Sequence, residues 1–291
     1  MCVRARNSII LFWQTISRGV CFFCCFSWLG CGRSLPYDII IKEVIKLENW
    51  KEVLEKFISE YKDKDYVIGA VLCGSYATGN YTKRSDIDVH IITKDISYKQ
   101  RGNVIIDGIM IEYFMNPLSE IYKYLENDFK NRRRLADANM YVNGVIIFDK
   151  TGEIEKLRED SKKYYDLEFD EPDKNTMMCN NYVCWDLMDE INDKIDNNEE
   201  YDLLYWILLK ELISNYYYKN KISTVPFTKI EKIYRNKEYR EKYHLKNMPP
   251  QEFIDLVLAI FDNKSYISLK SLYDYVIGDF KITNFVLRTE L

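Results

Sequence analysis

The stretch "VLCGSYATGNYTKRSDIDVHII", residues 71–92, limits the possible folds more than any other part of the chain. An apolar run closes on Gly74-Ser75, and ten residues later Asp86 and Asp88 break into a second apolar run. Burying carboxylates without partners is costly, so something must neutralise them. Side chains alternate along a strand, which puts Asp86 and Asp88 on one face and Ile87 and Val89 on the other. A divalent cation relieves the repulsion of such a pair; Mg²⁺ takes one or two carboxylates together with waters and substrate phosphates. Gly74 has no side chain and so lets a ligand approach the backbone. Ser75 is expected to be the N-cap of a helix whose free N–H groups suit an anionic phosphate. A third carboxylate, Glu112, interrupts the apolar run "GIMIEYFM". A neighbouring strand can bring it to the same cation, as a ligand or as the base for an attacking hydroxyl.

The surrounding pattern is mixed. "YDIIIKEVIKLENWKEVLEKFISEY" has apolar residues at three- and four-residue spacing and predicts an amphipathic helix. "YVIGAVLCG" predicts a buried strand, and "NVIIDGIMIEYFM" two strands meeting at Asp107-Gly108 in a hairpin. "PLSEIYKYLENDFKNRRRLADANMY" is expected as helix, "GVIIFD" as a strand, and "EIEKLREDSKKYY" as a further helix. From Asn175 onward the periodicity is almost wholly helical. The acidic, proline-containing stretch Asp170–Lys174 is the expected boundary. The expected fold class is α+β: a small mixed-sheet domain over residues 36–170, then an all-helical bundle over residues 171–291.

Composition narrows the function. A net charge of −4 and a pI near 5.5 disfavour a general nucleic-acid binder, which usually carries a basic face. From Thr151 to Glu200 sixteen acids face six bases, which suits either a solvated helix face or the lip of a cleft for a cationic ligand. Five of the eight cysteines crowd the first 31 residues, with no zinc-like or disulfide-like spacing, so the body reads as a reduced, cytoplasmic protein. Residues 1–35 are apolar, but Gln14 and Arg18 split them into runs too short for a membrane span. An anchor, a signal peptide, a mis-assigned start and packed structure all remain open for this segment.

The segment "GSYATGNYTKRSDID", with a carboxylate on a later strand, resembles the signature of the DNA-polymerase-β-like nucleotidyltransferase superfamily. The ten-residue gap is similar to that of the aminoglycoside nucleotidyltransferases and the minimal nucleotidyltransferases. The likeness is tight over Val67–Phe114, and the helical second half resembles the substrate domain appended in the antibiotic-modifying members. The resemblance implies that Asp86, Asp88 and Glu112 hold two Mg²⁺ ions or, for Glu112, act as base. It also implies that Gly74 and Ser75 bind phosphate, with ATP as co-substrate. A nucleoside monophosphate, AMP, would pass to a hydroxyl of a small, aminoglycoside-like acceptor with release of pyrophosphate. Lys229 is a candidate for the triphosphate, with Lys221 as its competitor. Trp185, Asp186 and Asp189 are candidates for an amino-sugar, by stacking and charge pairing; a core tryptophan with exposed acids is the plainer reading. His90 reads as a satisfied half-buried side chain and Arg132–Arg134 as helix surface. Two alternatives stand beside the small-molecule transferase. One is a protein-modifying adenylyltransferase of the antitoxin type; the other is a nucleotide-binding regulator without turnover, against which the intact acidic set argues. The expected partners are a nucleoside triphosphate and a hydroxylated acceptor, with no stable nucleic acid. A homodimer is open, and a membrane enters only through residues 1–35.

Overall fold

Val67–Cys73 is apolar at every position and fully buried, as a central strand covered on both faces must be. In the computed structural model, which describes residues 49–241, 244–245, 247–282 and 286, this strand (β1) anchors a five-stranded sheet. The others are β2 (Ile87–Thr93), β3 (Gln100–Ile106), β4 (Ile109–Pro117) and β5 (Val145–Asp149), in the order β3-β4-β2-β1-β5. β2 and β4 run parallel, and the other pairs are antiparallel. The expected hairpin forms at Asp107-Gly108, both with positive φ (50° and 75°), the backbone that a two-residue turn between twisted strands requires.

Alternation along the strands sends two sets of side chains to two cores. Ile87, Val89, Ile91, Ile109, Ile111 and Met115 pack against Val53, Leu54, Phe57 and Ile58 of helix α1 (Trp50–Lys62). Only this second half of the expected N-terminal amphipathic helix falls within the described residues; its first half, and residues 1–35, lie outside them. On the opposite face, Ile68, Val71, Cys73 and Ile92 meet α3 (Leu118–Lys130), α4 (Ala136–Val142) and α5 (Glu153–Lys163). A short helix, α2 (Gly74–Thr78), follows β1 directly.

The sequence predicts one helix over residues 117–141, and the structure divides it into α3 and α4. The reason lies in two residues. Arg133 takes a positive φ of 48°, which no continuing helix accepts. Asp128, buried at the end of α3, ion-pairs with the Arg134 guanidinium and accepts the Asp137 backbone N–H at 3.1 Å, folding the chain back on itself.

The remaining chain is helical: α6 (Lys174–Asp196), α7 (Asp202–Lys219), a 3₁₀ turn (Phe227–Lys229), α8 (Ile230–Arg235), α9 (Lys237–Glu241), α10 (Gln251–Asp262) and α11 (Tyr266–Ile277). α7 is apolar on nearly every side and lies at the centre, burying Tyr205, Leu208, Leu209, Leu212, Ile213 and Tyr217. The fold class is therefore the expected one, a mixed α/β sheet followed by helices. Among the described residues no helix is long and apolar enough to cross a membrane.

Arg133 joins the sheet layer to the helices. Its buried guanidinium donates to the Tyr218 carbonyl at 2.9 Å and to the Asp170 carbonyl at 2.6 Å, and lies 4.1 Å from the centre of the Tyr218 ring. Of the basic run Arg132–Arg134, then, two members are committed to internal contacts rather than to a surface patch.

Candidate functional site

Parallel pairing of β2 with β4 sets Asp88 directly opposite Glu112. Neighbouring strands lie about 4.8 Å apart, so two carboxylates in register reach one small volume. Asp86 stands one residue before β2, on the same face as Asp88. Its approach is fixed by a turn in which the Ser85 hydroxyl accepts the Thr82 N–H at 2.9 Å and the Thr82 carbonyl accepts the Ser85 N–H at 3.0 Å. One oxygen from each of Asp86, Asp88 and Glu112 lies within 4.8 Å of the others, and all three residues are half-buried. Among the described residues this is the one group of three or more His, Cys, Asp or Glu side chains so arranged. Three carboxylates form a hard, anionic donor set, suited to Mg²⁺ or Mn²⁺ and unsuited to soft metals.

Gly74 serves this cluster in a way that differs from the expectation. Its φ is +65°, and a Cβ built there would stand 1.9 Å from Asp88 Oδ2. The room left by the missing side chain is taken by the Asp88 carboxylate, before any ligand is considered. Ser75 is likewise displaced from its expected position. Cys73 occupies the N-cap, without a side-chain cap, and Ser75 lies inside α2, half-buried. The glycine lets the chain turn so tightly that the helix begins two residues earlier than a cap at Ser75 would allow.

Beneath the acids, on the same face of the sheet, lies a buried polar knot. The Asn116 amide donates to His90 Nε2 at 2.8 Å, so the neutral ring carries its proton on Nδ1 and donates to the Tyr141 hydroxyl oxygen at 2.8 Å. Burial pushes the His90 pKa down to about 4, which keeps the ring uncharged at neutral pH. The sequence reading of His90 as a satisfied side chain agrees with this, although the residue is fully buried rather than half-buried.

Residues 54–179, from within α1 to within α6, match the family model described as a nucleotidyltransferase domain. The match covers the whole five-stranded sheet, β1 to β5. The solved structure of a nucleotidyltransferase-like protein from Exiguobacterium sibiricum 255-15 is similar to the chain at 12% identity, with 78% of this chain and 75% of that one covered and a TM-score of 0.40. Among curated proteins none matches the chain.

Within the matched stretch, Asp86, Asp88 and Glu112 converge and Gly74 abuts the Asp88 carboxylate, while Ser75 follows it inside α2. The other candidates lie on the helices beyond its strands. Trp185 is half-buried on α6, 6.1 Å from the Tyr182 ring, and Asp186 and Asp189 are exposed on the same helix, outside the acidic cluster. Lys229 ends the 3₁₀ turn and is exposed. Its competitor Lys221 pairs with Glu171 at 2.6 Å.

One functional neighbour escaped the sequence reading. Arg101, on β3, donates from Nε to Glu112 Oε1 at 3.0 Å and from Nη2 to the same oxygen, while its guanidinium carbon sits 4.9 Å from the centre of the Phe114 ring. A signal for it exists. A two-residue turn at Asp107-Gly108 pairs Ile106 with Ile109, and counting outward puts Arg101 opposite Phe114 and Asn103 opposite Glu112.

Proposed function

We propose that the chain transfers a nucleoside monophosphate, AMP from ATP, to a hydroxyl of a small cationic acceptor of the aminoglycoside kind. The observation that carries the reading is the convergence of Asp86, Asp88 and Glu112 through parallel strands in a nucleotidyltransferase domain. The donor set fits Mg²⁺, which when bound neutralises phosphate charge and steadies the attacking and leaving oxygens. Asp86 and Asp88 hold the cation. Glu112 either completes that set or accepts the proton of the acceptor hydroxyl. Gly74 and Ser75 present backbone N–H groups to the triphosphate, and Lys229 offers it a cation from the helices.

The reaction is an in-line displacement. The acceptor oxygen forms a bond to the α-phosphorus as its proton leaves. The bond from that phosphorus to the β-phosphate bridging oxygen breaks, and pyrophosphate departs with the electron pair. A cationic acceptor is supported by the acid excess between Thr151 and Glu200, and Trp185 with Asp186 and Asp189 offers stacking and charge pairing to an amino-sugar. The experiment is to incubate the full chain with ATP, Mg²⁺ and a panel of aminoglycosides and lincosamides. A mass gain of one AMP on an acceptor is expected. No transfer to any acceptor, with pyrophosphate release also absent, would remove this reading.

A further inference from the structure

Arg101 stands where a cation should stand. Two of its N–H groups converge on a single oxygen of Glu112, and the flat guanidinium rests on the ring of Phe114, the next residue on the same face of β4. This seat is built from both sides, by a charge-assisted fork and by stacking on an aromatic face. It is also accessible, since the Arg101 side chain is 52% exposed and Glu112 is 26% exposed. The third carboxylate of the cluster is therefore already neutralised by a group of the chain itself. A metal ion that takes Glu112 must share that carboxylate with a guanidinium, and two positive charges at such a distance repel each other.

Resting on the metal-dependent reading above, we propose that Arg101 is a positioning residue that keeps the acidic cluster from filling with divalent cation until a nucleoside triphosphate arrives. In the nucleotide-free protein the guanidinium holds Glu112 Oε1 and weakens cation binding. A cation delivered together with a triphosphate brings its own negative charge, and the phosphates then offer the displaced guanidinium a second partner. The arginine thus changes anions, from carboxylate to phosphate, as the site loads. The long flexible side chain makes this exchange without moving the strand. A lysine there would keep the charge but lose the fork and most of the stacking.

The test is Mn²⁺ affinity of the full chain, read by electron paramagnetic resonance of free Mn²⁺, with no turnover involved. Without nucleotide, Arg101→Gln is expected to bind Mn²⁺ about tenfold more tightly than wild type, because one unit charge near the ion is removed. With a nonhydrolysable triphosphate present, that advantage is expected to disappear or reverse. On a Glu112→Gln background, Arg101→Gln is expected to bring little gain, which separates the ion pair from a general change in surface charge. Phe114→Leu, which keeps both charges and removes the aromatic seat, is expected to shift affinity in the same direction by less. A merely structural role predicts the opposite, namely weaker binding once the site is loosened. Unchanged or weakened Mn²⁺ binding in both Arg101→Gln and Phe114→Leu overturns the proposal while leaving the metal site standing. Absence of Mn²⁺ binding in every protein, with or without nucleotide, overturns the metal reading itself and the proposal with it.

Discussion

Position 74 shows how one missing methyl group shapes the acidic cluster. The chain needs φ near +65° there to pass from β1 into α2, and the space where a Cβ would stand belongs to the Asp88 carboxylate. Gly74→Ala therefore imposes two separate strains, one on the backbone and one on the carboxylate. Gly74 is exposed, so the fold is expected to survive while Asp88 shifts. Transfer is expected to fall about a hundredfold, the usual effect of moving a reacting group by about an ångström. Steady-state kinetics beside a circular-dichroism spectrum checks this, and full activity in a folded variant would show that Asp88 tolerates the move. Asp86 and Asp88 were legible as a pair because two acids on one face of an apolar strand repel each other unless a cation joins them. Arg101 was not legible on its own, because an arginine on an edge strand looks the same in the sequence whether it meets water or a carboxylate.

Among the elements, the junction of β5 with α5 has a titratable device. Asp149 accepts backbone N–H groups from Thr151, Gly152, Ile154 and Glu155 at 2.8 to 3.1 Å. Burial alone would raise its pKa, but these four hydrogen bonds outweigh burial and hold the carboxyl below its ordinary value. A carboxylate with a depressed folded pKa adds stability above its unfolded value, and that stability is lost as pH falls through the folded one. Asp149→Asn is thus expected to cost about 1–2 kcal/mol at neutral pH, the size of a helix cap. The cost should shrink as pH drops below about 4, where the wild-type carboxyl takes up its proton. Urea melts of both proteins at a series of pH values measure it, and a pH-independent gap would contradict it. Strand and helix identities were readable from apolar spacing, and the Asp107-Gly108 hairpin from its turn residues. The division between α3 and α4 was not. It depends on Asp128 meeting Arg134 and the Asp137 N–H in space, and the residues between carry no glycine or proline to announce it.

For the molecule as a whole, Arg133 ties the strand-bearing part to the helices. It bonds to carbonyls of the connecting segment and of α7, and Thr224 reaches back from beyond α7 to donate its backbone N–H to the Arg133 carbonyl at 2.8 Å. Arg133→Met keeps much of the apolar stem but removes the charged donor from the Tyr218 and Asp170 carbonyls. The expected loss is about 3 kcal/mol, as for hydrogen bonds from a charged donor. Denaturation is also expected to separate into two steps, because the sheet layers and the α7-centred core are distinct apolar clusters. Fluorescence and circular dichroism followed through the same urea titration would report it; a single coincident transition would show that other contacts suffice. The arginine run itself was visible in the sequence, but its inward direction is a property of the assembled layers. A last consequence follows from sheet order. Among the described residues β3 has β4 as its sole strand neighbour, and its residues are exposed or half-buried. Amide hydrogens there should exchange with deuterium sooner than those of β2, which is flanked on both sides. The guanidinium that holds Glu112 thus hangs from a rim strand, so ligand-driven rearrangement can begin there while the centre keeps its register.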